Sequence, residues 1–328
     1  MANDGRNQSF GVIGLGRIGG GLARQALERG FAVVGFDPGE EKPELSRLGL
    51  RRLSGLQEFR TELRPPRVVF LYIPAGSMID EVLEQLTSIL EPEDIVVDGG
   101  NSYWGDSIRR QERLESKANL RFVDLGTSGG ATGARNGACF MAGGVPEAVR
   151  VIEPILTALS VDGGFVHCGG PGSGHFVKLV HNGIEFGMLQ AIGEGVHLLS
   201  RYPEPLPVAD VLRAWTRGSV IRSWLIELME SQVRARGDLR NVSDHVEDTG
   251  EVNWLVEDAM RLEVPIPVIA QSVMQLVASR DEDRIWARSV AMMRNGFGEH
   301  PFGADEKVRS HRHSSRVGSF PTGVLYDE

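Results

Sequence analysis

Phe10-Gly11-Val12-Ile13-Gly14-Leu15-Gly16-Arg17-Ile18-Gly19 opens the stretch that decides the fold, and Phe31-Ala32-Val33-Val34-Gly35-Phe36-Asp37 closes it. A helical pattern runs between them to about Arg29. The order is strand, G-x-G-x-x-G, helix, strand, acidic residue, as in a dinucleotide-binding βαβ unit. The first glycine allows the tight turn. The second lets backbone approach a pyrophosphate, and the third packs helix against strand. The anion is expected at the helix N-terminus, where unpaired N–H groups and the dipole favour negative charge. Gly14, Leu15, Gly16, Arg17, Ile18 and Gly19 are therefore expected to hold a nucleotide, with Asp37 accepting from the ribose hydroxyls. A 2′-phosphate there would face Asp37, Glu40 and Glu41 with no arginine close by, which predicts NAD over NADP.

The same alternation continues outward. Arg67–Ile73 reads as a strand ending in Pro74-Ala75-Gly76, with a helix after it to about Leu90. Asp94–Asp98 is the next strand and ends in Gly99-Gly100-Asn101-Ser102. A helix over Trp104–Ser116 and a strand over Arg121–Leu125 lead to Gly126-Thr127-Ser128-Gly129-Gly130. Strands at Ala138–Gly143 and Gly164–Cys168, with a helix over Pro146–Leu159, complete a doubly wound sheet. Ligands of such sheets bind outside the carboxyl ends of the strands. The loops at Ile73–Gly76, Gly99–Ser102 and Thr127–Gly130 should therefore line one rim.

After Gly170 the period changes from 2 to 3.6 and strand patterns stop. Gly170-Pro171-Gly172-Ser173-Gly174-His175-Phe176-Val177-Lys178-Leu179-Val180-His181-Asn182-Gly183-Ile184-Glu185-Phe186-Gly187 begins a helix expected from about Gly174 to Ser200. On it Lys178, His181, Asn182 and Glu185 fall at i, i+3, i+4 and i+7. At about 100° per residue they form one narrow polar stripe. The rest of the surface is apolar nearly all round, which predicts burial. A solvated face is the commoner reading of such a stripe, but solvated faces are usually wide and built from charges and Gln. The chain has only four lysines, Lys42, Lys117, Lys178 and Lys307, among 35 Lys and Arg residues. A lysine in its most apolar helix suggests an amine able to release its proton, which arginine cannot supply. Further helices are expected at Val208–Trp215, Ser219–Gln232, Val252–Leu262, Pro265–Ser279 and Arg284–Arg294.

The pattern divides the 328 residues into an α/β, doubly wound Rossmann-like domain (1–170), an all-α substrate and dimerisation domain (171–300) and a polar tail (301–328). A net charge of −9 argues against nucleic acid as the main partner. Met1–Ser9 lacks the apolar core of a signal peptide and no apolar run reaches membrane length, so a reduced, cytoplasmic protein is expected. Cys139 and Cys168 make neither a disulfide framework nor a metal pattern, and both read as small buried thiols. His311 and His313 in the tail have no ligand-spaced partner, and no metal is expected.

These blocks, with Gly218-Ser219-Val220-Ile221-Arg222-Ser223-Trp224 and Arg294–His300, resemble the short, NAD-type decarboxylating 6-phosphogluconate dehydrogenases over about Phe10–His300. The resemblance implies that Lys178 is the general base and Glu185 the general acid. It implies that Ser128, Gly129 and Gly130 hold the substrate near its carboxylate and that His181 and Asn182 hold its hydroxyls. Pro74, Ala75 and Asn101 would touch the cofactor. The family is built of dimers, and Arg294 and His300 match positions that complete the partner's site, so a homodimer or a dimer of dimers is implied. One departure stands out. The family grips a distal phosphate with a tyrosine and two basic residues, and those positions here hold Phe186, Asn253 and Gln275. Two readings follow: a sugar acid whose distal group differs from phosphate, or a phosphate held instead by other arginines such as Arg280 or Arg284. A related 3-hydroxyacid dehydrogenase that does not decarboxylate, and an NAD-binding regulator without turnover, are the other readings.

Overall fold

The apolar runs of the N-terminal half assemble into one eight-stranded sheet. In this computed structural model, which describes residues 9–237 and 239–306, the strands are β1 (Ser9–Ile13), β2 (Ala32–Phe36), β3 (Arg51–Arg52), β4 (Val68–Leu71), β5 (Ile95–Asp98), β6 (Arg121–Ser128), β7 (Ala138–Gly144) and β8 (Ser160–Gly169). Their spatial order is β3-β2-β1-β4-β5-β6-β7-β8. All neighbours pair parallel except β6 and β7, which run antiparallel. Strand order reverses beside β1, between β2 and β4, so a crevice opens there at the carboxyl ends. β4 and β5 are buried at every position, as continuous Val/Ile runs in parallel sheets must be.

Helices α1 (Arg17–Glu28), α2 (Pro43–Arg47), α3 (Phe59–Glu62), α4 (Ser77–Thr87), α5 (Trp104–Ala118), α6 (Gly130–Asn136) and α7 (Pro146–Leu159) accompany the sheet. One core packs Leu22, Ala23, Ile152 and Leu156 with Phe10, Val12, Phe70 and Phe140. The other packs Phe59, Ile79, Leu83 and Leu114 with Val69, Leu71, Val96 and Phe122. Each of the larger side chains contributes roughly 1.5–3 kcal/mol by leaving water.

Then come α8 (Ser173–Ser200), α9 (Val208–Trp215), α10 (Trp224–Arg236), α11 (Glu251–Arg261), α12 (Pro267–Arg280) and α13 (Ile285–Gly298). No strand follows β8 among the described residues. The packing divides the chain into two units. The first runs to Gly183 and includes Gly250–Val264; the second holds Ile184–Thr249 and the chain from Pro265 on. The sequence reading puts the division at 170, where strand patterns stop, whereas the compact unit takes in the first three turns of α8 and all of α11. Buried Asp258 explains the second of these. It accepts from Tyr103 Oη at 2.9 Å and Trp104 Nε1 at 2.7 Å, tying α11 to the start of α5.

Several expectations need correction. Thr127 and Ser128 belong to β6 rather than to a loop, and Gly130 begins α6, a helix with too few apolar positions to show a period. α10 begins at Trp224 rather than Ser219, because Ser223 Oγ caps it by accepting from the Ile226 N–H at 3.3 Å. Cys139 is exposed and Cys168 only partly buried, since Cys139 alternates away from its buried neighbours Ala138 and Phe140. α8 is not buried all round either: Ile184 is 53% and Leu198 75% exposed. An apolar pattern specifies surface to be covered, and within one chain part of that surface stays uncovered. The expected tail is described only to Glu306, so His311 and His313 lie outside the described residues, as do Met1–Gln8. No helix among the described residues is long and apolar enough to cross a membrane.

Candidate active site

The nucleotide loop has the shape that its glycines predict. Gly14 takes φ +90°, and a Cβ on Gly19 would lie 2.0 Å from the Gly14 carbonyl oxygen, so helix and turn touch. A Cβ on Gly16 would meet nothing within 4 Å, which leaves the room a pyrophosphate needs. No side chain caps α1 and no acid stands in its first turn, so its leading N–H groups remain available to an anion. Arg17 is exposed and Ile18 half-buried beside this space. These features fit a dinucleotide.

Asp37 is already engaged. Its Oδ2 accepts from the Leu15 N–H at 2.6 Å and its Oδ1 from the Gly39 N–H at 2.8 Å. Its remaining lone pairs can still serve a ribose. The expectation that no arginine stands nearby is wrong. Arg52 Nη2 donates to the Asp37 carbonyl at 2.9 Å and also to that of Gly39, and Lys42 donates to the Leu15 carbonyl. Arg52 is fifteen residues away in sequence and is brought in by β3, a two-residue strand without a recognisable pattern.

The stripe on α8 is held from below. Asp124, buried in mid-strand on β6, accepts from the Gly172 N–H at 2.7 Å and the His175 N–H at 2.8 Å, so a carboxylate closes the N-terminus of the helix. The signal for it was a lone acid in the run Phe122-Val123-Asp124-Leu125, because a buried carboxylate needs donors. His175 is also buried, with Nδ1 2.7 Å from Ser107 Oγ. Gly126 then lets the strand touch the lysine: a Cβ there would come within 2.6 Å of Lys178 Cβ.

From that seat Lys178 Nζ donates to Asn182 Oδ1 at 2.6 Å and lies 3.3 Å from His181 Nδ1. His181 Nε2 lies 3.0 Å from Ser128 Oγ, and Asn182 Nδ2 donates to Asn101 Oδ1 at 3.4 Å. Asn101 Nδ2 in turn donates to Glu251 Oε1 at 2.7 Å. The structure thus joins Ser128, His181, Lys178, Asn182 and Asn101 in one network at the carboxyl ends of β5 and β6. Gly129 and Gly130 follow Ser128 directly, and Pro74 and Ala75 are exposed on the loop after β4. Tyr72, which the sequence reading passed over, lies behind the network with its hydroxyl 3.2 Å from Thr127 Oγ1. Burial, with the Asp98 charge adding to it, pushes its phenol well above the ordinary range.

Glu185 stands two turns beyond Lys178 on α8 and is half-buried. Arg294 is exposed on α13, and the His300 carbonyl accepts from Asn295 Nδ2 at 2.9 Å. Of the three positions that depart from the pattern expected for a distal phosphate, Asn253 is exposed on α11, while Phe186 and Gln275 lie on α8 and α12.

Two family models match. The NAD-binding domain of 6-phosphogluconate dehydrogenase covers residues 9–169, and the C-terminal domain of that enzyme covers residues 174–317. An NAD(+)-dependent, decarboxylating 6-phosphogluconate dehydrogenase of Haloferax volcanii is 39% identical over 294 residues, 89% of this chain and 97% of that one. The 6-phosphogluconate dehydrogenase of Plasmodium falciparum, whose cofactor is NADP+, superposes with a TM-score of 0.77 at 26% identity, over 91% of this chain and 66% of its own. A 3-hydroxyisobutyrate dehydrogenase from Salmonella typhimurium shares the fold, with a TM-score of 0.68 at 24% identity over 84% of this chain and 95% of its own.

Proposed function

Since the chain belongs to the 6-phosphogluconate dehydrogenase family of oxidoreductases, we propose that it performs the NAD-dependent oxidative decarboxylation of a sugar acid, with Lys178 as base and Glu185 as acid. The observation that carries this reading is the placement of Lys178 Nζ, 2.6 Å from Asn182 Oδ1 in a network that reaches Ser128 and Asn101. Residues Gly14 to Gly19 and Asp37 would hold the dinucleotide, with Pro74, Ala75 and Asn101 along its far half. Hydride acceptance is the one task that bound NAD supplies.

The chain's own groups handle the protons. The Lys178 amine takes the C3 hydroxyl proton as hydride leaves C3, giving a 3-keto acid. The C1–C2 bond then breaks, CO₂ leaves, and the electron pair passes through C2 toward the carbonyl oxygen. The ammonium of Lys178 stabilises that oxygen and returns the proton to it. Glu185 then gives a proton to the carbon of the enediol so formed while the Lys178 amine takes the enol proton back, which leaves the ketose product. Ser128, Gly129 and Gly130 hold the carboxylate end, and His181 and Asn182 the hydroxyls. Arg294 and His300 serve the site of a partner subunit in a homodimer.

The distal group is read from what is missing. A charge-assisted hydrogen bond contributes about 1.5–3 kcal/mol, and Phe186, Asn253 and Gln275 offer no cation where the family has two. A less charged end, as in an unphosphorylated or sulfonated aldonate, fits better than a phosphate dianion. Asp37 supports NAD over NADP, although Arg52 and Lys42 lie close enough to soften the preference.

The test is a panel of 6-phosphogluconate, gluconate and a 6-sulfonated analogue, each with NAD and with NADP, scored for reduced cofactor and CO₂. Equal yields of the two products support decarboxylation, whereas reduction without CO₂ would instead indicate a simple 3-hydroxyacid dehydrogenase. Efficient saturation by 6-phosphogluconate alone overturns the altered distal group. Lys178→Met should lower kcat by about 10²–10⁴-fold with NAD affinity unchanged, and Lys178→Arg should not restore it, because a guanidinium does not give up its proton.

A further inference from the structure

Arg110 on α5 is 1% exposed, yet it carries a full charge and touches no part of the network around Lys178. Three groups meet its guanidinium. Nε and Nη2 donate to the two oxygens of Asp80 at 3.1 Å each, Nη2 also donates to the Gly76 carbonyl at 3.0 Å, and Nη1 lies 3.5 Å from Asp98 Oδ2. Gly76 ends the Pro74–Ala75 loop after β4, and Asp80 stands in the first turn of α4 just beyond it. Asp98 ends β5, and its carboxylate accepts from the Gly100 N–H at 3.0 Å and from Ser102 Oγ at 2.8 Å. One buried fork therefore ties together the two loops that follow the adjacent strands β4 and β5. Those loops face the half of the crevice away from the β1–α1–β2 nucleotide unit, where the second nucleotide of a dinucleotide lies.

We infer that Arg110 is a positioning residue for the nicotinamide half of the cofactor: it touches no ligand and sets the Pro74–Gly76 and Gly99–Ser102 loops at the spacing that the ring and its ribose require. A buried cation is costly to keep. Here it is matched by one bidentate carboxylate and shared between two loops that are not adjacent in sequence. Lysine has the charge but not the planar fork that can reach three acceptors at once. Arg109, 3.8 Å from Asp80, and Arg113 add charge from the same helix but no second link to Asp98.

The inference rests on the dinucleotide reading of the crevice, so the experiment separates the two. Binding of NAD and of ADP-ribose, which lacks the nicotinamide, is measured on the full-length chain by calorimetry. Wild type should bind both; binding of neither overturns the dinucleotide reading and this inference with it. Arg110→Lys should weaken NAD by about tenfold, the worth of a charge-assisted hydrogen bond, and raise its KM, while ADP-ribose affinity stays within about twofold. Equal loss of both ligands would mean a purely structural role, and unchanged NAD binding would mean no role; either result overturns the inference. Ser102→Ala removes only the Ser102–Asp98 bond and leaves the buried ion pairs intact. It should give the same selective loss in smaller degree even if Arg110→Lys folds poorly, and a Ser102→Ala protein that binds NAD like wild type counts against the inference.

Discussion

The role proposed for Lys178 requires β6 to come close enough to hold it, and Gly126 is what permits that. A methyl group there would stand 2.6 Å from Lys178 Cβ and 3.0 Å from the Gly174 carbonyl oxygen. Neither can retreat without moving α8. Gly126→Ala should therefore cost about 1–3 kcal/mol in stability, and a displacement near 1 Å at the base should lower kcat on the order of 10²-fold; denaturant unfolding and steady-state kinetics read the two effects. Asp80 gives a pH prediction at the same scale. The Arg110 hydrogen bonds, more than any other influence, hold its carboxyl below the ordinary 3.8, against a smaller opposing effect of burial. A carboxyl whose folded pKa is depressed contributes stability that is present above its unfolded value and is lost as pH falls through the folded value. Stability should drop below about pH 4 in wild type, and less steeply in Asp80→Asn, when melting temperature is followed against pH. Lys178, His181, Asn182 and the glycine loop were legible in the sequence because a helix period and a short motif carry them. Arg52, Gly126, Tyr72 and Arg110 were not, because each is defined by a neighbour 15 to 55 residues away.

Among the elements, α8 has the most to lose from its first turn. Its first turn is closed by Asp124 rather than by a residue of its own, and no local pattern reveals a cap supplied by a strand. Asp124→Asn keeps the shape but turns one oxygen into an amide that donates. That amide would face either the Gly172 or the His175 N–H and leave a buried donor without an acceptor. The expected cost is about 1–3 kcal/mol. The accompanying fall in kcat should exceed any change in NAD affinity, because the nucleotide loop lies on α1 instead. Thermal melting and NAD titration of the variant check both parts. The bounds of α8 and α9 could be read from periodicity alone, since long apolar stretches leave little choice. α6, with one buried residue, and β3, with two residues in all, were invisible for the opposite reason. α11 was found as a helix, but its membership in the first unit depends on buried Asp258, a tertiary link that no spacing rule contains.

At the scale of the whole molecule, the second unit does not cover its own apolar surface. α13 buries none of its residues within the chain. Trp286 is 65%, Met292 67% and Phe297 75% exposed on it. A helix of 14 residues is marginal in water without a packed face, and apolar patches of this kind mark an interaction surface. The occupant that fits the homodimer proposed above is a second copy of the chain. The position of Arg294 and His300, on α13 and just after it, then couples assembly to activity, because each site would borrow both residues from the partner. Trp286→Glu with Phe297→Asp puts two charges into that surface without touching the Lys178 network. Sedimentation velocity should show wild type as a dimer or a larger even-numbered assembly and the double variant as a monomer that retains NAD binding. Turnover should fall by at least about tenfold in the same variant, since each borrowed charge-assisted contact is worth about 1.5–3 kcal/mol. A monomeric variant with full turnover would show that each chain completes its own site, and the roles given to Arg294 and His300 would then be wrong while the assignment of Lys178 stood.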